Sequence, residues 1–116
     1  SRLGAIVRAH VGVVTGDLER ATVFVHEWRS LDGDGRARMA RRRDAYERRF
    51  RTIVADGVET GAFASSDPTA TAAFILTALN GLVAWYRPEG RLPPAEVADL
   101  YADLAVSAAT GPEVIR

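Results

Sequence analysis

Three polar side chains sit inside otherwise apolar helical stripes, and they are the first candidates for chemistry. His10 follows Leu3 and Val7 and precedes Val14 at steps of four, three and four residues, so its imidazole shares a helix face with aliphatic side chains. A buried imidazole needs a hydrogen-bond partner, which is either another group of the protein or a bound ligand. Arg43 lies between Met39 and Tyr46 on the same inward stripe, where a guanidinium facing a cavity suits a carboxylate or phosphate. Asn80 interrupts a stripe of small residues, and its amide either bonds across a helix seam or points to a ligand.

Other constellations are poorer. His26 falls on a different face of its helix from the inward one, and no acidic cluster joins the two histidines into a metal site. Asp32-Gly33-Asp34-Gly35 resembles the opening of a calcium loop, but the later ligands are missing and Arg36 and Arg38 follow. Arg36, Arg38, Arg41, Arg42, Arg48, Arg49 and Arg51 read as a solvated face with Asp44 and Glu47 as counter-charges. There is no Gly-rich phosphate loop, nucleophile elbow or pair of catalytic carboxylates, so neither an enzyme nor a cofactor is expected.

The elements that must position these groups are helices, because no strand-type alternation is sustained and Gly, Pro and Asp cut the chain into five segments of helical spacing. The first runs from Leu3 to Val14. The second, Leu18 to about Leu31, turns Leu18, Ala21, Val25 and Trp28 inward with Phe24 beside them. The third, about Asp34 to Glu59, carries Met39, Arg43, Tyr46, Phe50, Ile53, Val54 and Gly57 on one stripe, and Thr60-Gly61 stops it. Ser66-Asp67-Pro68 opens the fourth, and Pro93-Pro94-Ala95-Glu96 opens the fifth.

The last two helices have more apolar surface than one small core can cover. The fourth has a bulky face of Ile75, Leu79, Leu82 and Tyr86 and, opposite, a slim face of Ala73, Thr77, Gly81 and Ala84. The fifth carries Val97, Tyr101, Leu104 and Ala108 beside Ala98, Ala102, Ala105 and Ala109. Small side chains let helix axes approach closely, so a symmetric homodimer burying both helices of each copy in a four-helix bundle would cover the excess. Its expected interface is Ala73, Thr77, Asn80, Gly81, Ala84, Val97, Tyr101, Leu104, Ala105 and Ala108.

Size and composition fit one folded domain. The chain has 116 residues, 47% hydrophobic and 26% charged, enough for one core and not for two. All fifteen basic residues are Arg, matched by fifteen acids, so attraction to nucleic acid or anionic membrane is not general to the chain. With no Cys, thiolate metal sites and disulfides are excluded. The longest apolar run, Ala70 to Tyr86, is interrupted by Thr71, Thr77, Asn80 and Gly81, and no membrane span is expected. The opening Ser1-Arg2-Leu3-Gly4 has no signal-peptide layout and reads as the interior of a larger protein.

Arg43-Asp44-Ala45-Tyr46 through Phe50-Arg51-Thr52-Ile53, Gly57, Gly61-Ala62-Phe63, Asp67-Pro68, Leu79-Asn80-Gly81-Leu82 and Trp85-Tyr86-Arg87-Pro88-Glu89-Gly90-Arg91-Leu92 together resemble the C-terminal domain of TetR-family transcription regulators. The likeness is to the actinobacterial type that represses sterol and fatty-acid breakdown, and it spans Leu3 to Gly111. It implies an all-α, five-helix domain of a cytoplasmic repressor. This domain would bind a small hydrophobic or acyl-CoA-like effector and pair two copies, while operator DNA is read by an N-terminal helix-turn-helix that these residues lack. The expected effector site is His10, Val14, Phe24, Trp28, Met39, Arg42, Arg43, Tyr46, Phe50 and Phe74, with a cavity bordered by His10, Trp28, Arg43 and Tyr46. A structural dimerisation module with a filled core, and an Arg-rich helix that binds nucleic acid directly, are the competing readings.

Overall fold

Capping chemistry sets most of the helix boundaries in the computed structural model, which describes residues 1–27 and 31–111. Ser1 Oγ accepts from the Gly4 amide at 3.1 Å and starts α1 (Arg2–Gly16). Asp17 ends α1 and accepts from the Arg20 amide, opening α2 (Leu18–Glu27). Helix α3 (Gly33–Glu59) closes at Thr60, after which Gly61 takes φ 84°, a left-handed angle that suits glycine. Asp67 caps α4 (Pro68–Asn80) through the Ala70 amide, with Pro68 in the first turn. A break at Gly81 sets off the single turn α5 (Leu82–Trp85), and α6 (Pro94–Thr110) follows a proline pair.

The architecture is all-α, and the described residues contain no strand. Five segments were expected, and five are present, the fourth being interrupted at Gly81 into α4 and α5. Tyr86, Leu79, Leu82, Phe50, Leu3 and Val7 fill the centre of the core. The bulky face expected of the fourth segment, Ile75, Leu79, Leu82 and Tyr86, is buried throughout, and its slim face of Ala73, Thr77, Gly81 and Ala84 is exposed throughout. Pro68–Trp85 is apolar and long enough to match a bilayer-spanning helix by composition. The two-faced arrangement accounts for that apolarity, because one face serves the core.

Helix α6 differs from its sequence reading. Val97, Ala102, Ala105 and Ala109 turn inward, and α6 packs antiparallel along α1 as the most extensive helix contact in the molecule. Pairing of Arg8 with Asp99 at 3.2 Å, and the close approach of Gly4 to Ala102, set that direction. The small side chains thus bring two helices of one chain together. Val97 and Ala105 are consequently core residues here, with Ala108 and Tyr101 half-buried and Leu104 exposed.

The molecule measures 50 × 37 × 20 Å with a radius of gyration of 15.3 Å, against about 13 Å for an evenly rounded domain of this length. Helix α3 is part of the reason. Its 27 residues extend about 40 Å, yet only Phe50 and Val54 are buried, both in its C-terminal half.

A close approach at the end of α3 gives a direct test of this packing. A Cβ placed on Gly57 would collide with the Phe63 ring, and the Phe63 amide donates to the Gly57 carbonyl, which holds the ring in place. Gly57→Ala should therefore lower unfolding stability by about 1–3 kcal/mol despite alanine's better helix propensity, as read by urea denaturation.

Candidate functional site

The side of the domain between α1 and α3 gathers the polar chemistry. The helices run antiparallel, with Arg2 bonded to Asp56 at 3.4 Å near one end and His10 bonded to Tyr46 nearer the other. His10 Nδ1 and the Tyr46 hydroxyl are 2.8 Å apart, and their rings stack with centroids separated by 5.6 Å. Tyr46 meets Phe50 edge-on, and the Arg49 guanidinium lies 5.8 Å from the Tyr46 ring centroid. His10 therefore finds its partner within the protein.

Burial sets the protonation of this pair. Desolvation pushes the His10 pKa below its usual 6.5, favouring neutral imidazole, which can accept the Tyr46 hydroxyl proton in a hydrogen bond. Desolvation also raises the Tyr46 pKa, and the nearby positive charge of Arg49 opposes that rise. Both groups are thus neutral near pH 7.

The remaining expected effector residues do not form one cluster. Val14 and Phe50 are buried and Met39 is half-buried, but Arg42 and Arg43 are exposed. The stripe through Arg43 has the right phase and the wrong depth, because the N-terminal half of α3 extends past the buried core. Phe24 is 52% exposed, and none of the residues of α2 is fully buried. Phe74 is 67% exposed on the outward side of α4, away from the His10–Tyr46 pair. Trp28 lies outside the described residues.

A groove of about 770 Å³ runs between α1 and α3, with Ala5, Ile6, Ala9 and Ile53 on its floor and Arg2, Arg48 and Arg49 at its edges. A smaller one, about 370 Å³, separates α1 from α6 beside Gly4, Arg8 and Asp103. Both are open to solvent. Neither is lined by His10, Arg43 or Tyr46, since the tyrosine itself fills the space beside the imidazole. Sequence reasoning placed Arg48 and Arg49 on a solvated face and missed their adjacency to the α1 alanines. A spacing signal existed, for Ala5 and Ala9 repeat at one helical turn.

The opposite side of the domain is apolar without being buried. Phe74, Trp85, Leu100 and Leu104 are exposed on α4, α5 and α6, and Trp85 Nε1 donates to the Tyr101 hydroxyl at 2.9 Å. Asn80 is exposed beside the slim row. Among the described residues no group of His, Asp or Glu is placed to hold a metal ion.

Residues 1–109 match the family model described as the tetracyclin repressor-like C-terminal domain. No curated protein matches the chain. Among solved structures, AibR in complex with isovaleryl coenzyme A and operator DNA superimposes with a TM-score of 0.81 at 26% identity over 89% of this chain. A TetR/AcrR-family transcriptional regulator from Thermobifida fusca YX-ER1 superimposes with a TM-score of 0.74 at 28% identity over 90% of it. The chain spans 56% and 55% of those two proteins, a little over half of each.

The buried imidazole predicts a pH signature. Because the folded His10 pKa is depressed, the unfolded chain binds more protons below pH 6.5, so its contribution is intact above that value and is lost as pH falls through the folded pKa. Melting temperature should drop on acidification from pH 6.5 to about 5, and that drop should be smaller in His10→Phe, compared by calorimetry across the range.

Proposed function

The chain belongs to the tetracyclin repressor-like C-terminal domain family, and from that premise we propose that it senses a small hydrophobic anion, of the acyl-CoA class, and pairs two copies of a transcription regulator. The match across residues 1–109, together with the superposition on a regulator bound to isovaleryl coenzyme A, carries this reading. Operator DNA would be contacted by a segment outside these 116 residues. An effector that binds one arrangement of α1 to α3 better than another would shift the spacing of the two DNA-reading heads, within the limit of its differential affinity.

Dimerisation is assigned to the outward face of α4 to α6. Ala73, Thr77, Gly81 and Ala84 form a slim central row, and Phe74, Trp85, Leu100 and Leu104 supply the apolar area beside it. Covering this face with its own copy removes apolar surface from water, at roughly 25 cal/mol per Å² buried. In this reading Phe74, expected at the effector site, joins the seam, while Val97 and Ala105, expected at the seam, are buried in the core of the chain.

A structural dimerisation module remains the second reading, favoured by the closed His10–Tyr46 pair and the open form of both grooves. The two readings diverge in a thermal-shift panel of acyl-CoA thioesters. The sensor reading predicts a rise in melting temperature with at least one thioester, and an unchanged melting temperature across the panel would leave the structural module. Separately, Leu104→Arg should convert a dimer to a monomer in analytical ultracentrifugation while leaving helical circular dichroism unchanged; a wild-type monomer at micromolar concentration would refute the seam.

A further inference from the structure

The positive charge of α3 is segregated. Counting 100° per residue, Arg38, Arg41, Arg42, Arg48 and Arg49 fall within about 120° of arc, together with Ala45 and Thr52. Between Arg38 and Thr52 this arc contains no acid, although Asp44 borders its edge one turn from Arg41 and Arg48; Glu47 projects to the other flank and pairs with Arg51. All five arginines are exposed, and none forms an ion pair with a described residue. The net charge of zero conceals this stripe.

The same arc forms one wall of the α1–α3 groove, where Ala45, Arg48, Arg49 and Thr52 face Ala5, Ile6 and Ala9. On α1 the face continues to Val13, which is 74% exposed, and the antiparallel direction brings Val13 toward the Arg41 and Arg42 end of α3. The groove thus has an apolar floor and a cationic wall. Its volume is about 770 Å³, and it opens broadly to solvent.

We propose that this groove seats a phosphorylated amphiphile of the CoA-thioester class, its flexible chain along Ala5, Ile6, Ala9 and Val13 and its phosphates on Arg48 and Arg49, with Arg41 and Arg42 extending the cationic wall. The proposal rests on the effector reading above and moves the anion-binding role from Arg43 to the neighbouring arc. Guanidinium groups suit phosphate because their N–H donors match its oxygens in pairs, and two adjacent ones can share a diphosphate. Ile6 and Ala9 contribute by removing apolar chain from water. The Tyr46 ring beneath Arg49 holds that guanidinium near the wall.

Isothermal titration of this chain with isovaleryl coenzyme A, and with adenosine 3′,5′-bisphosphate as the phosphate-only probe, tests the assignment. The wild type should bind both, the first more tightly, and both affinities should weaken as salt rises. The double variant Arg48→Gln/Arg49→Gln should lose about tenfold or more for both probes. Arg91→Gln, a charge loss in the turn before α6, should change neither. Ile6→Glu should weaken the thioester through the floor, while circular dichroism reports whether that variant keeps its helices. Wild-type binding of isovaleryl coenzyme A that survives the double substitution within twofold would overturn the groove and leave the effector reading standing. Failure of the wild type to bind this or any other acyl-CoA thioester would overturn the effector reading and the groove together. Retention on duplex DNA that the bisphosphate does not compete away would overturn the proposal in favour of a nucleic-acid surface.

Discussion

Packing of α1 on α6 is the contact on which the other surfaces depend. Alanines at 102, 105 and 109 keep the facing side of α6 shallow, so α1 can lie close with Leu3, Val7 and Val11 buried. Once α1 is held there, its remaining flank, with Arg2, Ala5, Ile6 and Ala9, faces α3. The hydrogen bond from the Ala64 amide to the Ala109 carbonyl ties the loop after α3 to the end of α6, so the same seam also locates the return of the chain into α4. A larger residue on the alanine face would separate the axes and disturb the α1–α3 groove at the same time.

The domain consequently has two sides with different physics. On the α1–α3 side, polar and charged groups are arranged over a thin apolar floor, and the His10–Tyr46 pair is neutral because burial disfavours both charged forms. On the α4–α6 side, large apolar groups stand in solvent. Side chains of the first kind suit a ligand with an anionic end, whereas the second suits a matching protein surface. The core between them, from Leu79 and Tyr86 to Phe50, is one contiguous apolar cluster.

Helix identity and several boundaries were legible in the residues, whereas the end of the second helix, expected at about Leu31, and the break at Gly81 were not. Asp67-Pro68, Pro93-Pro94 and Thr60-Gly61 act through local hydrogen bonding and backbone angles, which the tertiary environment scarcely alters. The two faces of the fourth segment were also legible, since four bulky residues at helical spacing leave no doubt about which side is larger. Val14 and Phe50 were read as inward and are buried; Arg43 and Phe74 were read the same way and are exposed. Periodicity gives the angle of a side chain about its helix, but says nothing of whether another helix covers that angle.

The sequence by itself determined the all-α class, the places where most helices start, the segregation of bulky from small residues, and the need of His10 for a partner. Those properties arise from interactions within a few residues or along one helix. Tertiary structure alone decided that Tyr46 is that partner, that the alanine row of α6 belongs to α1, and that Arg48 and Arg49 border the alanines of the first helix. Each of these is a contact between residues distant in the chain, and its existence depends on helix depth and crossing geometry, which one-dimensional spacing does not encode.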